Sequence, residues 1–303
     1  MNTTLFCAIV GGVSAALVFL LLEAMTWRRW VNLSRADSLW LTALFAFGTV
    51  NWWMSTTGNV WFVAQVTTCA CVALAVLLTV RRAPPALVGA SLTLAIMGRP
   101  HVLAISVLIL ALAAEGQSGL RLWGRWALSF AWPVLLGICV LAVYNQQRFG
   151  SPTDFGYLHV PNLSEDGRLY GQFNLHFLPR NLWAMFLATP QWNAARGIWA
   201  PSRTGMSVLL TTPAFLWLLL ARRPRALVCA AWLSLAVGLT PPLLYFTTGS
   251  WQFGSRFTLD VTIPVLVLLA FAMRSGLTVP FRAAVALSVV ANVIGVAWWH
   301  LPR

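Results

Sequence analysis

The sequence predicts an all-α, polytopic helical membrane protein with about ten helical segments and one long extracytoplasmic loop. Three observations lead there. Of 303 residues, 59% are hydrophobic and only 9% are charged, whereas a soluble domain carries about 25% charged residues. That is too little charge to cover a globular surface, so the apolar excess must face lipid. Apolar runs near the ~20 residues that cross a bilayer as helix recur along the chain. The 17 Trp suit many membrane interfaces, where indole rings settle at headgroup depth.

The first span runs from about Thr4 to Met25 and carries Gly11, Gly12, Ser14 and Ala16, small residues that let another helix approach. No basic region precedes it, so it is not a cleavable signal peptide. The second runs from Asp37, a plausible N-cap, to Trp53. A polar outer turn at 55–59 follows, flanked by Trp52, Trp53 and Trp61. The third covers Val60 to Val80. Two shorter apolar pieces, Pro85 to Met97 and Val102 to Ala114, are split by Pro100, which breaks helices, and Arg99, which resists lipid. A span from Trp126 to Tyr144 delivers the long loop. Further spans are expected at Thr204 to Ala221, Ala226 to Phe246, Phe257 to Met273 and Ala283 to Trp299. No repeat period or low-complexity linker divides the chain, so residues 1–303 read as a single integral membrane domain, with 145–203 as an extracytoplasmic loop.

The net charge is +13, from arginine alone and no lysine. Arg28, Arg29, Arg35, Arg81, Arg82, Arg121, Arg125, Arg222, Arg223, Arg225, Arg274 and Arg282 fall in loops of one side. The positive-inside rule makes that side cytoplasmic, so the N-terminus is expected to be extracytoplasmic. These arginines are scattered among apolar spans and form no basic face, which argues against nucleic acid as a partner. The lipid bilayer is the partner the composition demands. The cysteines Cys7, Cys69, Cys71, Cys139 and Cys229 all lie in apolar spans without CxxC spacing, and read as buried, inert thiols.

Three polar clusters fall on the expected outer face. In the long loop, Arg148 and Asp154 bracket a turn, Tyr157 and His159 follow, and then come Glu165, Asp166 and Arg168. Residues 178–187 read as an amphipathic helix lying in the interface. These arginines either touch lipid phosphates and nearby carboxylates, or hold an anionic headgroup with the guanidinium as a fork. Gln252, Arg256 and Asp260 form the second cluster. Arg256 and Asp260 sit at i and i+4, one above the other on a helix face; they form either a structural salt bridge or a phosphate-binding arginine oriented by a carboxylate. Arg99 and His101 form the third, at a helix end. Glu23 reads as a paired or snorkelling acid at the inner boundary. No nucleophile elbow, phosphate-cradling glycine loop or zincin helix is recognisable, and no cofactor or metal is implied. Asp154, Glu165 and Asp166 are the outer-loop acids; Asp154 is the weak candidate for a base.

The stretches GNVWFVAQ (58–65) with MGRPH (97–101), YNQQRFGSPTDFGY (144–157) and WQFGSRFTLD (251–260) resemble bacterial polytopic membrane glycosyltransferases of the GT-C type. The resemblance implies an outward-facing site in a bacterial inner-membrane protein, taking sugar from a polyprenyl-phosphate donor. An arginine, Arg256 or Arg148, would then stabilise the departing phosphate, with Arg99, His101, Tyr157, His159, Gln252 and Asp260 around the ligand. Enzymes of that type place a catalytic acid on a first outer loop after one crossing. Here the first acid is Glu23, so the chain is expected to correspond to such a protein without its first helix and catalytic loop. A lipid-linked-glycan transporter and a non-enzymatic membrane scaffold are the competing classes.

Overall fold

A computed structural model describes residues 2–115, 119–159, 164–194, 197–202, 204–249 and 252–300. The expected end of the long loop at Arg203, and Ser250 and Trp251 of the later outer loop, lie outside the described residues.

Among the described residues the chain is all-α apart from one small hairpin. Helix α1 (Thr3–Trp27) is followed by α2 (Arg35–Phe47), α3 (Val50–Thr57), α4 (Val60–Val80) and α5 (Pro85–Gly98). A 3₁₀ turn (Pro100–Ala104) leads into α6 (Ile105–Ala114), and α7 (Leu120–Phe149) carries the chain to the long loop. The loop contains α8 (Glu165–Tyr170), α9 (Leu178–Phe186) and an antiparallel pair, β1 (Gln191–Asn193) and β2 (Ile198–Ala200). The short α10 (Val208–Thr211) and a 3₁₀ helix (Pro213–Leu220) precede α11 (Arg225–Leu244). A 3₁₀ helix (Arg256–Val261), α12 (Thr262–Ala272) and α13 (Val279–His300) complete the chain. Among the described residues, five helices are long and apolar enough to cross a membrane: α1, α4, α7, α11 and α13. This fits an integral membrane protein.

Several expected spans are not continuous helices. The one from Asp37 to Trp53 breaks at Gly48, whose carbonyl accepts from Thr212 Oγ1 at 2.9 Å, while Thr49 caps α3. Its start also moves: Ser34 is the N-cap and Asp37 the third residue of a capping box, the arrangement in which side chains satisfy the orphan amides reciprocally. The outer turn shrinks accordingly to Gly58 and Asn59. The stretch from Thr204 to Ala221 is no single α-helix, because Pro213 cannot continue α10 and the chain tightens into 3₁₀. Pro264 does the same near 256–261: it has no N–H to give the Asp260 carbonyl, and its ring crowds that carbonyl. The turn before it is therefore 3₁₀.

Helix α12 is buried from Thr262 through Phe271 on every face, as befits a helix apolar all round. It packs against α2, α4 and α11 and the neighbouring 3₁₀ helices; beyond them α1 lies against α4, α5 against α4 and α7, α11 against α6, and α13 against α2. Close approach is bought with small residues. Gly89 of α5 lies directly against the Phe130 backbone of α7, and Gly11 of α1 against Ser55 of α3, while Gly12 faces open space. Outward faces are apolar, as at Leu128, Trp132, Leu135 and Leu136 of α7, the signature of lipid contact rather than water. Two cysteines share those faces: Cys139 and Cys229 are exposed and Cys71 is half-buried, so only Cys7 and Cys69 are the buried thiols expected. Glu23 forms no ion pair among the described residues; the acid paired at this end is Asp37, with Arg282 Nη2 at 2.8 Å.

Candidate functional site

A cavity of about 1340 Å³ opens where α4 begins and α5 and α11 end, beneath the long loop. Its polar wall comes from Arg99, His101, Tyr157, Asp166, Arg180, Tyr245 and Arg256, and its aromatic wall includes Trp61, Phe173, Phe257 and Trp299. Among the described residues three cations and one carboxylate thus line it, a balance that favours an anionic guest.

Local sequence sets each of these groups. Pro100 disfavours helical geometry at the residue before it, and Arg99 accordingly leaves α5 in an extended conformation, φ −149° and ψ 93°. Its guanidinium is thereby released from the helix side into the cavity wall. His101 follows in the 3₁₀ turn. Both meet Asp260, whose Oδ2 lies 3.1 Å from His101 Nε2 and 3.7 Å from Arg99 Nε. The Asp260 side chain is fully buried. Gln65 Nε2 of α4 lies 3.4 Å from its carboxylate and donates to the Arg256 carbonyl at 3.0 Å.

The expected Arg256–Asp260 pair does not form. On a 3₁₀ turn, at 3.0 residues per turn, positions four apart are about a third of a turn out of line. Arg256 instead rests on Phe257, its guanidinium carbon 5.2 Å from the ring centroid, and Arg99 rests on the same ring at 5.7 Å. Arg99 Nε and Nη2 and Arg256 Nε are buried with no hydrogen-bond partner. A buried donor without a partner is costly, and these belong to two cations on one ring, of which Arg99 is the one that meets Asp260 among the described residues.

The roof is aromatic. Tyr157 stacks on Trp61 at 6.4 Å and meets Tyr245 edge-on at 5.8 Å, tying the loop to the starts and ends of α4 and α11. The amphipathic segment forms α9, with Asn181, Ala184 and Met185 buried. Asn181 Nδ2 reaches the carbonyls of Tyr245 and Leu243 at 2.7 and 2.9 Å, closing the last turn of α11. Arg180, next to it, donates to the Phe246 carbonyl at 2.8 Å and lies 3.7 Å from Asp166.

Of the residues singled out from sequence, Arg99, His101, Tyr157 and Arg256 line the cavity and Asp260 sits behind them. Gln252 does not line it: it is buried, donates to Thr204 and Thr248 carbonyls at 2.7 and 2.8 Å, and accepts from the Arg256 amide at 3.1 Å. It positions Arg256. Arg148, His159 and Asp154 form a separate exposed cluster. Arg148 packs on Tyr144 and Phe149, His159 stacks on Phe149 at 5.4 Å, and Asp154 Oδ2 lies 2.9 Å from His159 Nε2. The Gly156 amide and then His159 hold the Asp154 carboxyl below its ordinary range. So engaged, Asp154 closes a turn and is not among the described residues that line the cavity. Asp166 is the carboxylate that lines the cavity among the described residues. Arg180, Tyr245, Phe257 and Gln65 were not singled out. Gln65 had a signal, a lone amide inside an apolar span; the others look like ordinary loop or boundary residues.

Comparisons with protein-family models, with curated proteins and with solved structures give no match.

Proposed function

We propose that the chain is a GT-C-like membrane glycosyltransferase, or a non-catalytic relative, whose cavity binds a polyprenyl-phosphate-linked sugar at the outer face of a bacterial inner membrane. The observation that carries this reading is the pair of buried, hydrogen-bond-poor guanidiniums of Arg99 and Arg256 in the wall of a large, aromatic-lined cavity. Guanidinium donors suit phosphate in geometry as well as charge. The volume exceeds the roughly 300–1000 Å³ of a typical small-molecule pocket, leaving room for a sugar phosphate, part of its lipid and an acceptor.

In this reading an acceptor hydroxyl oxygen attacks the anomeric carbon, a base takes the hydroxyl proton, and the bond from that carbon to the phosphate oxygen breaks. Arg99 and Arg256 stabilise the charge growing on the departing polyprenyl phosphate. Asp166, whose carboxylate lies 3.7 Å from Arg180 Nη1, is the available base. The same pairing favours a second reading, in which Asp166 is structural and the cavity only binds the lipid-linked sugar.

The test is binding of a polyprenyl-phosphate sugar to the purified chain. Arg256→Ala and Arg99→Ala are each expected to weaken it by at least about tenfold, the scale of one lost charged hydrogen bond, with Arg148→Ala unchanged. Unaltered affinity in both cavity variants would sink the proposal. Binding without sugar transfer, unaffected by Asp166→Asn, would favour the second reading.

A further inference from the structure

A second pocket, of about 330 Å³, lies at the other end of the bundle, where α1 and α4 finish and α5 starts. Arg28 and Arg82 converge on it, between Trp30 and Trp126, over Pro84 and Leu112. We propose that this pocket is an anion site, built for the phosphodiester headgroup of an anionic phospholipid in the leaflet opposite the large cavity.

The ordinary explanation for arginine here is compensation of helix C-terminal carbonyls. The backbone already does that work. Both helices end in a residue of left-handed conformation, Arg29 at φ 58° and Arg82 at φ 57°. In α1, the amides of Arg29 and Trp30 donate to Thr26 and Met25 carbonyls at 2.9 and 3.1 Å; in α4, those of Arg82 and Ala83 donate to Thr79 and Leu78 at 3.0 and 2.9 Å. These are the paired bonds that close a helix by itself, and they leave the arginine side chains free for another partner. A non-glycine residue at such a φ costs of order 1 kcal/mol; of the two, Arg82 lines the pocket, and Arg29 lies between Arg28 and Trp30, which do.

The Arg28 side chain is incompletely satisfied as it stands. Arg28 Nε is buried without a hydrogen-bond partner. Burial, and then the like charge of Arg82, push the Arg28 guanidinium down, with Glu115 acting the other way. Two like charges held together round a cavity call for an anion between them. The rest of the wall argues for a lipid: Arg28 lies 5.5 Å from the Trp30 ring centroid, and tryptophans with an apolar floor are the usual setting of a headgroup at the end of a span.

Native mass spectrometry of the purified chain in a neutral detergent tests this, with phosphatidylglycerol, phosphatidylcholine and inorganic phosphate as probes. Phosphatidylglycerol is expected to be retained by the unaltered protein and lost about tenfold in Arg28→Gln/Arg82→Gln, with Arg81→Gln, an exposed arginine outside the pocket, unchanged. Arg256→Ala should leave it intact, which separates this site from the large cavity. If the double variant does not fold, Arg82→Gln alone, on an exposed side chain, gives the same readout. Equal retention of phosphatidylcholine, an equal loss in Arg81→Gln, or no loss in the pocket variants would overturn the proposal. Displacement of the lipid by millimolar inorganic phosphate would show a free-phosphate site and overturn the lipid assignment.

Discussion

Arg99 and Arg256, from opposite halves of the chain, rest their guanidinium groups on one ring, that of Phe257, at 5.7 and 5.2 Å from its centroid. The ring face attracts both cations, and Asp260, reached by Arg99 and His101, offsets only part of their charge. The outcome is a positively biased wall, with both arginines lining the cavity. That arrangement makes the consequences of altering it specific.

Asp260→Asn should destabilise the protein. It removes the charge that balances Arg99, and the carboxylate that meets His101, in a buried site, and breaking a buried pair from one side costs about 3–5 kcal/mol. Thermal melting in detergent would show it as a clear fall in Tm. An unchanged Tm would mean that water or another anion already balances Arg99.

The turn around Asp154 should be acid-sensitive. Its carboxyl is held below the ordinary range by the Gly156 amide and by His159. A depressed carboxylate contributes stability above its unfolded value, near 4, and loses it as pH falls through the lower folded value. Hydrogen exchange at the Gly156 amide, corrected for intrinsic rates, should therefore quicken below about pH 4. Asp154→Asn should remove that pH dependence, while ligand binding in the cavity stays unchanged because Asp154 lies outside it.

Gly89→Val should separate α5 from α7. A side chain there meets the Phe130 backbone, which cannot yield as a flexible side chain does. Overpacking of this kind costs about 1–3 kcal/mol. At Gly12 of α1 an added Cβ meets nothing within 4 Å, so Gly12→Val should leave the melting temperature nearly unchanged. Equal effects of the two would contradict the packing described.

The proposed orientation is checked by single-cysteine labelling in a background without native cysteines. Ser151→Cys should react with a membrane-impermeant maleimide in intact cells. Arg223→Cys should react only after permeabilisation. The reverse pattern would invert the assignment of both pockets to their leaflets.

The helical character of the chain was legible because composition and run length are one-dimensional: α4 spans Val60–Val80, and α1, α7, α11 and α13 are the other long apolar helices. Boundaries shifted where a proline or glycine met a tertiary partner. Gly48 ends α2 because Thr212 is there to receive its carbonyl, and no window of sequence around Gly48 contains Thr212. The site divides along the same line. Sequence picked out Arg99, His101, Tyr157, Arg256 and Asp260 because charge and polar rings are conspicuous among apolar spans. It could not say that Asp260 would turn from Arg256 to Arg99 and His101, since that depends on a 3₁₀ turn imposed by Pro264 and on where α5 ends. Nor could it separate Arg148, His159 and Asp154, which stack among themselves outside the cavity, from Asp166 and Arg180, which line it. Composition and periodicity determine what kind of medium a segment needs. Which polar groups share a cavity is decided by distances between segments far apart in the chain, and those are set only when the helices pack.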